Sequence, residues 1–85
     1  NIYGYIKDTT GNYIEAATIS LARKKANVLE TTVSDSNGYF KFENFVANNY
    51  IIFAKKQGYK PGKLIMKLEA GETKEVEIEI KPKKQ

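Results

Sequence analysis

The chain has 85 residues, of which 41% are hydrophobic and 28% charged, with a formal net charge of +4 at pH 7. This length supports one domain, and the composition is that of a folded protein rather than a disordered one. Cysteine and histidine are absent, which excludes disulfides, thiolate metal sites and most routes to nucleophilic or general-base catalysis near neutral pH.

Two classes of partner are disfavoured by the distribution of residues. No apolar run approaches the roughly 20 residues of a membrane-spanning helix, so we expect no membrane insertion. The lysines are spread along the chain, and Glu75, Glu77 and Glu79 form a local acidic stripe. This mixed surface argues against nucleic acid as a partner, despite the positive net charge.

Apolar and polar residues alternate with a period of two through most of the chain, which predicts an all-β protein. The first strand, residues 2–7, carries Tyr3 and Tyr5 on its outward phase and ends in turn residues at 8–12. A second strand covers residues 17–21, and the polar segment 23–27 follows it.

The third and fourth strands are predicted to form a hairpin. Residues 29–34 make the third strand, and the turn at 35–38 contains an Asp that can cap it and an Asn-Gly pair that accepts positive φ. Phe40 and Phe42 then lie on the inward phase of the fourth strand. We expect both phenylalanines in the core.

The fifth strand, residues 50–55, is predicted to begin after a left-handed turn at residues 48–49, with Phe53 on its outward phase. The last two strands, 64–68 and 76–80, are predicted to pair around a loop at 70–72.

That last pairing has a predicted register. It sets Met66 opposite Val76 and Leu64 opposite Ile78 on the inner face. On the outer face it sets two lysines opposite two glutamates, as the pairs Lys67 with Glu75 and Lys63 with Glu79.

Seven short strands with turns about every ten residues predict a seven-stranded antiparallel sandwich of two sheets. We assign residues 1–80 to a single β-sandwich module and residues 81–85 to a basic tail or linker. Because the sequence enters a strand pattern at Asn1 without a methionine, we expect a piece of a longer protein, with any targeting signal upstream.

The remaining polar residues predict no catalytic, cofactor-binding or metal-binding site. Asp8 and Asp35 begin turns, and one carboxylate per loop is too few for calcium, so turn capping explains them better. Ser20, Ser34 and Ser36 have no evident base, although a Ser–Lys pair stays open at this point.

Three outward aromatic residues are the candidate interaction surface: Tyr3, Tyr5 and Phe53. Aromatic rings on a flat sheet face can stack on sugars or pack against a neighbouring module. The alternative is that a loop or lysine stems cover them. The sequence does not indicate whether the three share one sheet.

Several short motifs follow one another in a fixed order, namely Gly4-x-Ile6-x-Asp8-x-x-Gly11, Ala17-x-Ile19-x-Leu21, Ser34-Asp35-x-x-Gly38-x-Phe40-x-Phe42 and Gly58-Tyr59. This order resembles the carboxypeptidase regulatory-like domain, a transthyretin-like and broadly Ig-like sandwich related to Cna protein B-type repeats and to cellulosomal X-modules. The chain departs from the family pattern at Tyr13, where proline is usual, and at Ala16 and Asn48, where glycine is usual.

The resemblance implies a non-catalytic structural or interaction module that orients or stabilises neighbouring domains of a larger secreted or cell-surface protein. The chain is rich in Lys, Asn, Ile and Tyr, residues with AT-rich codons, which points to a bacterium with a low GC content. The expected partner is a neighbouring domain or a partner protein. The alternative is a carbohydrate- or cell-wall-binding module, with a polysaccharide as partner.

Two functional branches of the resemblance do not fit these residues. The related hydroxyisourate hydrolases rely on histidines, which this chain lacks. Some B-type repeats carry a Lys–Asn isopeptide bond promoted by a buried acid. Lys7 is near the expected lysine position, but Ala54 stands at the acid position and the last strand has no asparagine.

Overall fold

The structure is a computed structural model that describes residues 1–23 and 28–83. Residues 24–27 of the predicted polar segment and residues 84–85 of the predicted tail lie outside this range. Seven strands are present, and their bounds are β1 Ile2–Asp8, β2 Thr18–Ala22, β3 Val28–Val33, β4 Tyr39–Phe42, β5 Asn48–Lys55, β6 Gly62–Leu68 and β7 Lys74–Ile80. The predicted all-β chain of seven strands is confirmed.

The strands form two sheets with the orders β4-β1-β7 and β3-β2-β5-β6. All neighbours are antiparallel except β1 and β7, which are parallel. The prediction of a purely antiparallel sandwich is therefore wrong, because one sheet is mixed. The first and last strands are joined through the whole chain rather than by a short turn, so no hairpin fixes their relative direction.

The predicted hairpin of the third and fourth strands is also wrong. The turn itself forms, because the Gly38 amide donates to the Asp35 carbonyl at 2.9 Å. However, β3 pairs with β2 while β4 pairs with β1 in the other sheet. Turn residues specify only that the chain reverses its direction. Here the turn connects β3 in one sheet to β4 in the other.

The predicted pairing of the last two strands fails in the same way. Its lysine–glutamate pairs do not form, because β6 lies beside β5 and β7 beside β1. Lys67 lies opposite Asn49, and Glu75 lies opposite Tyr3. The tight turn between them forms around Gly71, whose φ is 72°, but it too connects one sheet to the other.

The core lies between the two sheets and contains the residues of the inward phase. Phe40 and Phe42 are 2% and 0% exposed, as predicted, and their ring centroids are 6.1 Å apart in an edge-on arrangement. Phe42 contacts Phe45 in the same way, with centroids 6.2 Å apart. The rest of this core comes mainly from apolar residues of β1, β2, β5, β6 and β7, so the apolar faces of both sheets are buried against each other.

Gly4 of β1 pairs with Val76 of β7. A Cβ at this position would collide with the backbone carbonyl of Val76. Only glycine lets two backbones come this close, and any larger residue would push the strands apart. The parallel pairing therefore depends on this glycine.

The paired strands β1 and β7 form a parallel ladder, and the two ends of this ladder lie at opposite ends of the sandwich. Ile2 pairs with Lys74, and Asp8 pairs with Ile80. β1 therefore begins beside the start of β7, and β7 finishes beside the end of β1. The chain enters the sandwich at one end and leaves β7 at the other.

Backbone hydrogen bonds fasten the chain just outside the ladder at both ends. The Lys74 amide donates to the Asn1 carbonyl at 2.8 Å. Beyond β7, the Lys60 amide donates to the Lys81 carbonyl at 2.7 Å, and the Lys83 amide donates to the Gly58 carbonyl at 2.9 Å. Residues 81–83 thus run beside residues 58–60, and the boundary at residue 80 stays a prediction.

Two residues other than glycine have positive φ in the part of the chain that the structure describes. They are Ala16, with φ of 62°, and Asn44, with φ of 67°. The predicted left-handed turn at residues 48–49 is wrong, since Asn48 and Asn49 begin β5. Asn tolerates the left-handed region at Asn44, whereas Ala16 has a Cβ and no side-chain hydrogen bond to offset the strain.

The turn after β1 is organised by the Asp8 carboxylate. One of its oxygens, Oδ1, accepts hydrogen bonds from the Thr10 hydroxyl at 2.7 Å, the Thr10 amide at 2.9 Å and the Asn12 amide at 3.0 Å. The Thr10 hydroxyl, followed by the backbone amides, holds the pKa of Asp8 below its usual value. The predicted turn-capping role of Asp8 is confirmed.

Replacing the strained alanine by glycine should stabilise the fold. We expect Ala16→Gly to raise the free energy of unfolding by roughly 0.5–1 kcal/mol, because glycine adopts the left-handed conformation without a Cβ penalty. Chemical denaturation measures the change. The control is Ala17→Gly, the same substitution one residue later at a buried position without positive φ, which should lower stability. A loss of stability in Ala16→Gly would contradict the interpretation.

The charge on Asp8 should make stability depend on pH. Because the folded-state pKa is below the unfolded value of about 3.8, the carboxylate stabilises the fold above that value, and the contribution is lost as pH falls through the folded pKa. Asp8→Asn should therefore destabilise the protein near neutral pH, with a difference that shrinks in acid. In Thr10→Ala, an NMR titration should show the Asp8 pKa moving up toward its usual value. If the Asp8 pKa were the same in Thr10→Ala as in the parent, the Thr10 hydroxyl would not be what lowers it.

Candidate functional site

The second predicted turn cap, Asp35, is also confirmed. Its Oδ1 accepts hydrogen bonds from the amides of Asn37 and Tyr39, both at 2.9 Å. Like Oδ1 of Asp8, this oxygen accepts hydrogen bonds from backbone amides of the turn that its own residue begins. Across residues 1–23 and 28–83, no three acidic side chains converge in a way that would hold a metal ion.

Ser34 is a buried hydroxyl with a structural role. It is 3% exposed, and its Oγ donates to the Ile14 carbonyl at 2.7 Å and accepts from the Ala17 amide at 2.9 Å. Both partners are backbone groups, so the hydroxyl joins the segment before β2 to the end of β3. Leaving these buried groups unpaired would be costly, which accounts for a serine here without catalysis.

Four tyrosine side chains lie together on the outer face of the three-stranded sheet. Tyr3 and Tyr5 belong to β1, Tyr39 of β4 pairs with Tyr5, and Tyr13 follows the first turn. Ring centroids are 5.5 Å apart for Tyr5 and Tyr39, 5.6 Å for Tyr5 and Tyr13, and 6.3 Å for Tyr3 and Tyr39. Tilted and edge-on pairs at these distances are favourable. We call Tyr3, Tyr5, Tyr13 and Tyr39 the tyrosine face.

The tyrosine face is partly accessible to solvent. Tyr13 is 55% exposed, and the other three rings are half-buried. The sequence left open whether a loop or lysine stems cover Tyr3 and Tyr5. The structure shows that these rings shelter one another and still present a continuous aromatic surface.

Carboxylates on β7 border the tyrosine face. The outward phase predicted for Glu75, Glu77 and Glu79 is confirmed, since all three are exposed. Lys7 Nζ is 3.1 Å from Glu77 Oε1, and this hydrogen bond together with the charge attraction raises the pKa of Lys7 above its ordinary value. Lys7 thus forms an ion pair on the outer face of the sheet.

Phe53 lies on the outer face of the other sheet. It is half-buried on β5, between Ser20 of β2 and Lys63 of β6. Its ring helps to line a shallow depression of about 520 Å³, together with Thr31 and Pro61 among others. The next cross-strand row contains Ile65, which is 69% exposed, so this face is more aliphatic than the first.

The structure brings two of the three predicted surface residues together and separates the third. Tyr3 and Tyr5 share the tyrosine face, whereas Phe53 belongs to the opposite sheet. Tyr39 was missed, although the inward phase of Phe40 places its predecessor outward. Tyr13 follows a turn, where the strand periodicity gives no signal.

In the part of the chain that the structure describes, no helix is long and apolar enough to cross a membrane.

Solved structures with the same fold come from proteins of different kinds. A 5-hydroxyisourate hydrolase from Klebsiella pneumoniae aligns with a TM-score of 0.72 and 20% identity, over 98% of this chain and 91% of that one. The TIE protein of Bacillus anthracis aligns with a TM-score of 0.77 and 15% identity, over 95% of this chain and 17% of that one. A chlorocatechol 1,2-dioxygenase from Pseudomonas putida aligns with a TM-score of 0.64 and 12% identity, over 94% of this chain and 58% of that one. At these identities the likeness shows the transthyretin-like fold alone.

Among curated proteins, the chain is similar to staphylococcal serine-aspartate repeat-containing proteins. It is 37% identical over 54 residues to protein I of Staphylococcus saprophyticus and, over a stretch of the same length, to protein F of Staphylococcus epidermidis. The matched stretch is 62% of this chain and 3% of each relative. The chain therefore spans only a small part of these proteins.

The sequence profile of the carboxypeptidase regulatory-like domain matches residues 1–81. The match runs from the first strand to just past the last, and the two-sheet sandwich of the structure agrees with it. The chain belongs to the carboxypeptidase regulatory-like domain family, whose members are usually non-catalytic.

Proposed function

We propose that this chain is a non-catalytic structural module that holds and orients neighbouring domains of a larger bacterial secreted or cell-surface protein. The observation that carries the proposal is the parallel pairing of β1 with β7. This pairing puts the entry and the exit of the chain at opposite ends of the sandwich. A module of this kind can be inserted in series and keeps the domain on its N-terminal side apart from the domain on its C-terminal side.

The spacing that such a module provides follows from strand geometry. Each of β1 and β7 has seven residues, so the ladder advances the chain by about 20 Å at roughly 3.3 Å per residue. Hydrogen bonds at both ends, from Lys74 to Asn1 and from Lys60 to Lys81, fix the directions in which the chain arrives and departs. A rigid advance of this kind suits a spacer.

The comparisons support a module within a long bacterial protein. The staphylococcal relatives are matched over 3% of their length, as expected if the match is one module among many segments. The family resemblance also links such domains to bacterial surface proteins, which supports the proposed location.

The chemistry of the chain supports a role without catalysis. Histidine and cysteine are absent from the whole sequence. The Ser34 hydroxyl and one oxygen each of Asp8 and Asp35 are hydrogen-bonded to local groups. Each of these hydrogen bonds has a structural role in a turn or between strands.

The tyrosine face is the surface that we assign to contact with a neighbouring domain. Partly buried aromatic rings contribute strongly to interfaces because they bury a large area at a low entropic cost. Lys7, Glu75 and Glu77 at its border provide a polar rim. Phe53 stays a second, separate candidate on the other sheet.

A carbohydrate is the second candidate partner. The specific observation in its favour is the continuous group of four tyrosine rings bordered by carboxylates. Aromatic faces flanked by polar groups can bind sugars. In this case the module would attach the larger protein to a cell-wall or other polysaccharide.

The test titrates this module, produced on its own, with the separately produced adjoining domain of its parent protein, and it compares the two faces by substitution. The double variant Tyr3→Ser/Tyr5→Ser should weaken docking of the separated domains at least about tenfold, as for truncated aromatic anchors. Phe53→Ser is the matched control and should bind like the unaltered module. Titration calorimetry measures the affinities, and thermal unfolding verifies that each variant folds.

Two outcomes would overturn this assignment. Equal affinity of the tyrosine variant and the unaltered module would remove the tyrosine face from the interface. Retardation of the module by a polysaccharide in affinity electrophoresis, lost in the tyrosine variant and kept in Phe53→Ser, would replace the neighbouring domain by a glycan.

A further inference from the structure

The parallel ladder of β1 and β7 determines how this module responds to tension. A pull on the two ends of the chain draws β1 toward the end where it begins and β7 toward the end where it finishes. The seven register pairs run unshifted from Ile2 with Lys74 to Asp8 with Ile80. The hydrogen bonds of a parallel pair are evenly spaced along the strands, so a force along the strands loads them together.

We infer that this ladder, residues 2–8 with residues 74–80, is a mechanical clamp that keeps the module folded when the larger protein is under tension. The inference goes beyond the proposed function, because a spacer sets a distance whether or not it resists force. A failed clamp would leave the spacer role intact, and a clamp could operate in a module that docks to nothing.

The direction of loading is what gives the ladder its resistance. In shear, the bonds between the strands must yield at nearly the same moment. If the strands were instead pulled apart at one end, the bonds would break one after another at a lower force. The predicted hairpin of the last two strands would have placed β7 beside β6, and terminal tension would then not have sheared β7 against the first strand.

The environment of the ladder protects its hydrogen bonds from water. On the inner side, Ile2, Ile6, Ile78 and Ile80 are at most 4% exposed. On the outer side, the tyrosine face covers β1. Shielded backbone bonds are stronger than solvated ones, because water is not available to replace them as they stretch.

Two features hold β1 in place. Gly4 allows the close approach to β7, since a Cβ there would collide with the Val76 carbonyl. β1 is also the middle strand of its sheet, and β4 pairs with its first residues, from Ile2 with Phe42 to Tyr5 with Tyr39. Removing β1 from the module therefore breaks two sets of hydrogen bonds together.

The C-terminal segment is fastened differently from the ladder. Residues 81–83 run antiparallel to residues 58–60 and form a short bridge with few hydrogen bonds. We expect this bridge to release first, as a small extension that precedes the rupture of the ladder.

The experiment pulls the full chain in two directions by single-molecule force spectroscopy. One handle is fused to the N-terminus in both cases. The other is fused to the C-terminus, which shears the ladder, or attached to the thiol of Thr73→Cys, which peels it. The second attachment is unique because the chain has no other cysteine, and Thr73 is exposed. We expect the unfolding force to be several-fold higher with the terminal handles.

Two variants separate mechanical from thermodynamic weakening. Gly4→Ala disturbs the ladder, whereas Met66→Ala removes a buried side chain from the other sheet. Each is compared with the parent by chemical denaturation as well as by force. For a given loss of stability, Gly4→Ala should lower the terminal unfolding force more than Met66→Ala.

The outcomes are decisive in either direction. A higher force in the shearing geometry supports the clamp. Equal forces in the two pulling directions, measured on proteins with the same stability in denaturant, would overturn it. The comparison of directions uses the parent ladder, so it decides the question even if Gly4→Ala does not fold.

Discussion

The parallel contact between the first and last strands is the constraint on which the rest of this structure depends. β1 is hydrogen-bonded to β7 on one side and to β4 on the other. The other four strands, β2, β3, β5 and β6, form the second sheet, and the chain changes sheet at four connections, β1–β2, β3–β4, β4–β5 and β6–β7. Gly4 makes the contact possible because it leaves room for the carbonyl of Val76.

The same contact links the fold to the proposed function. Because the chain enters at one end of the ladder and leaves at the other, we propose that a series of such modules would extend a protein instead of folding it back on itself. The tyrosine face lies on the outer side of the sheet that contains the ladder. A neighbour docked there would rest on β1, which is hydrogen-bonded on both sides, and this suits a part that fixes the orientation of adjacent domains.

The seven strands and most of the turns could be predicted from the sequence because each depends on nearby residues, although the turn predicted at residues 48–49 is part of β5. Alternation placed Phe40 and Phe42 in the core, and both aspartates cap the turns that their positions indicated. Strand partners could not be predicted in the same way. The turn at Gly38 has hairpin chemistry, yet a reversal of the chain is equally compatible with a corner between sheets.

The candidate surface was predicted only in part, for a related reason. The outward phase of Tyr3, Tyr5 and Phe53 is a local property, and it is confirmed by their partial exposure. Which of them lie together depends on the sheet to which each strand belongs. Tyr39 joins Tyr5 only because β4 pairs with β1 in the observed register. A surface that is assembled from separate strands requires the topology, which alternation does not specify.

The pairing of the terminal strands is measured most directly in solution by NMR. The account predicts cross-strand contacts between backbone protons of residues 3–7 and 75–79 in a parallel pattern, with the amides of the ladder among the slowest to exchange with solvent. Contacts between β7 and β6 in an antiparallel pattern, with Met66 beside Val76, would contradict it. That result would remove the basis for both the spacer and the clamp.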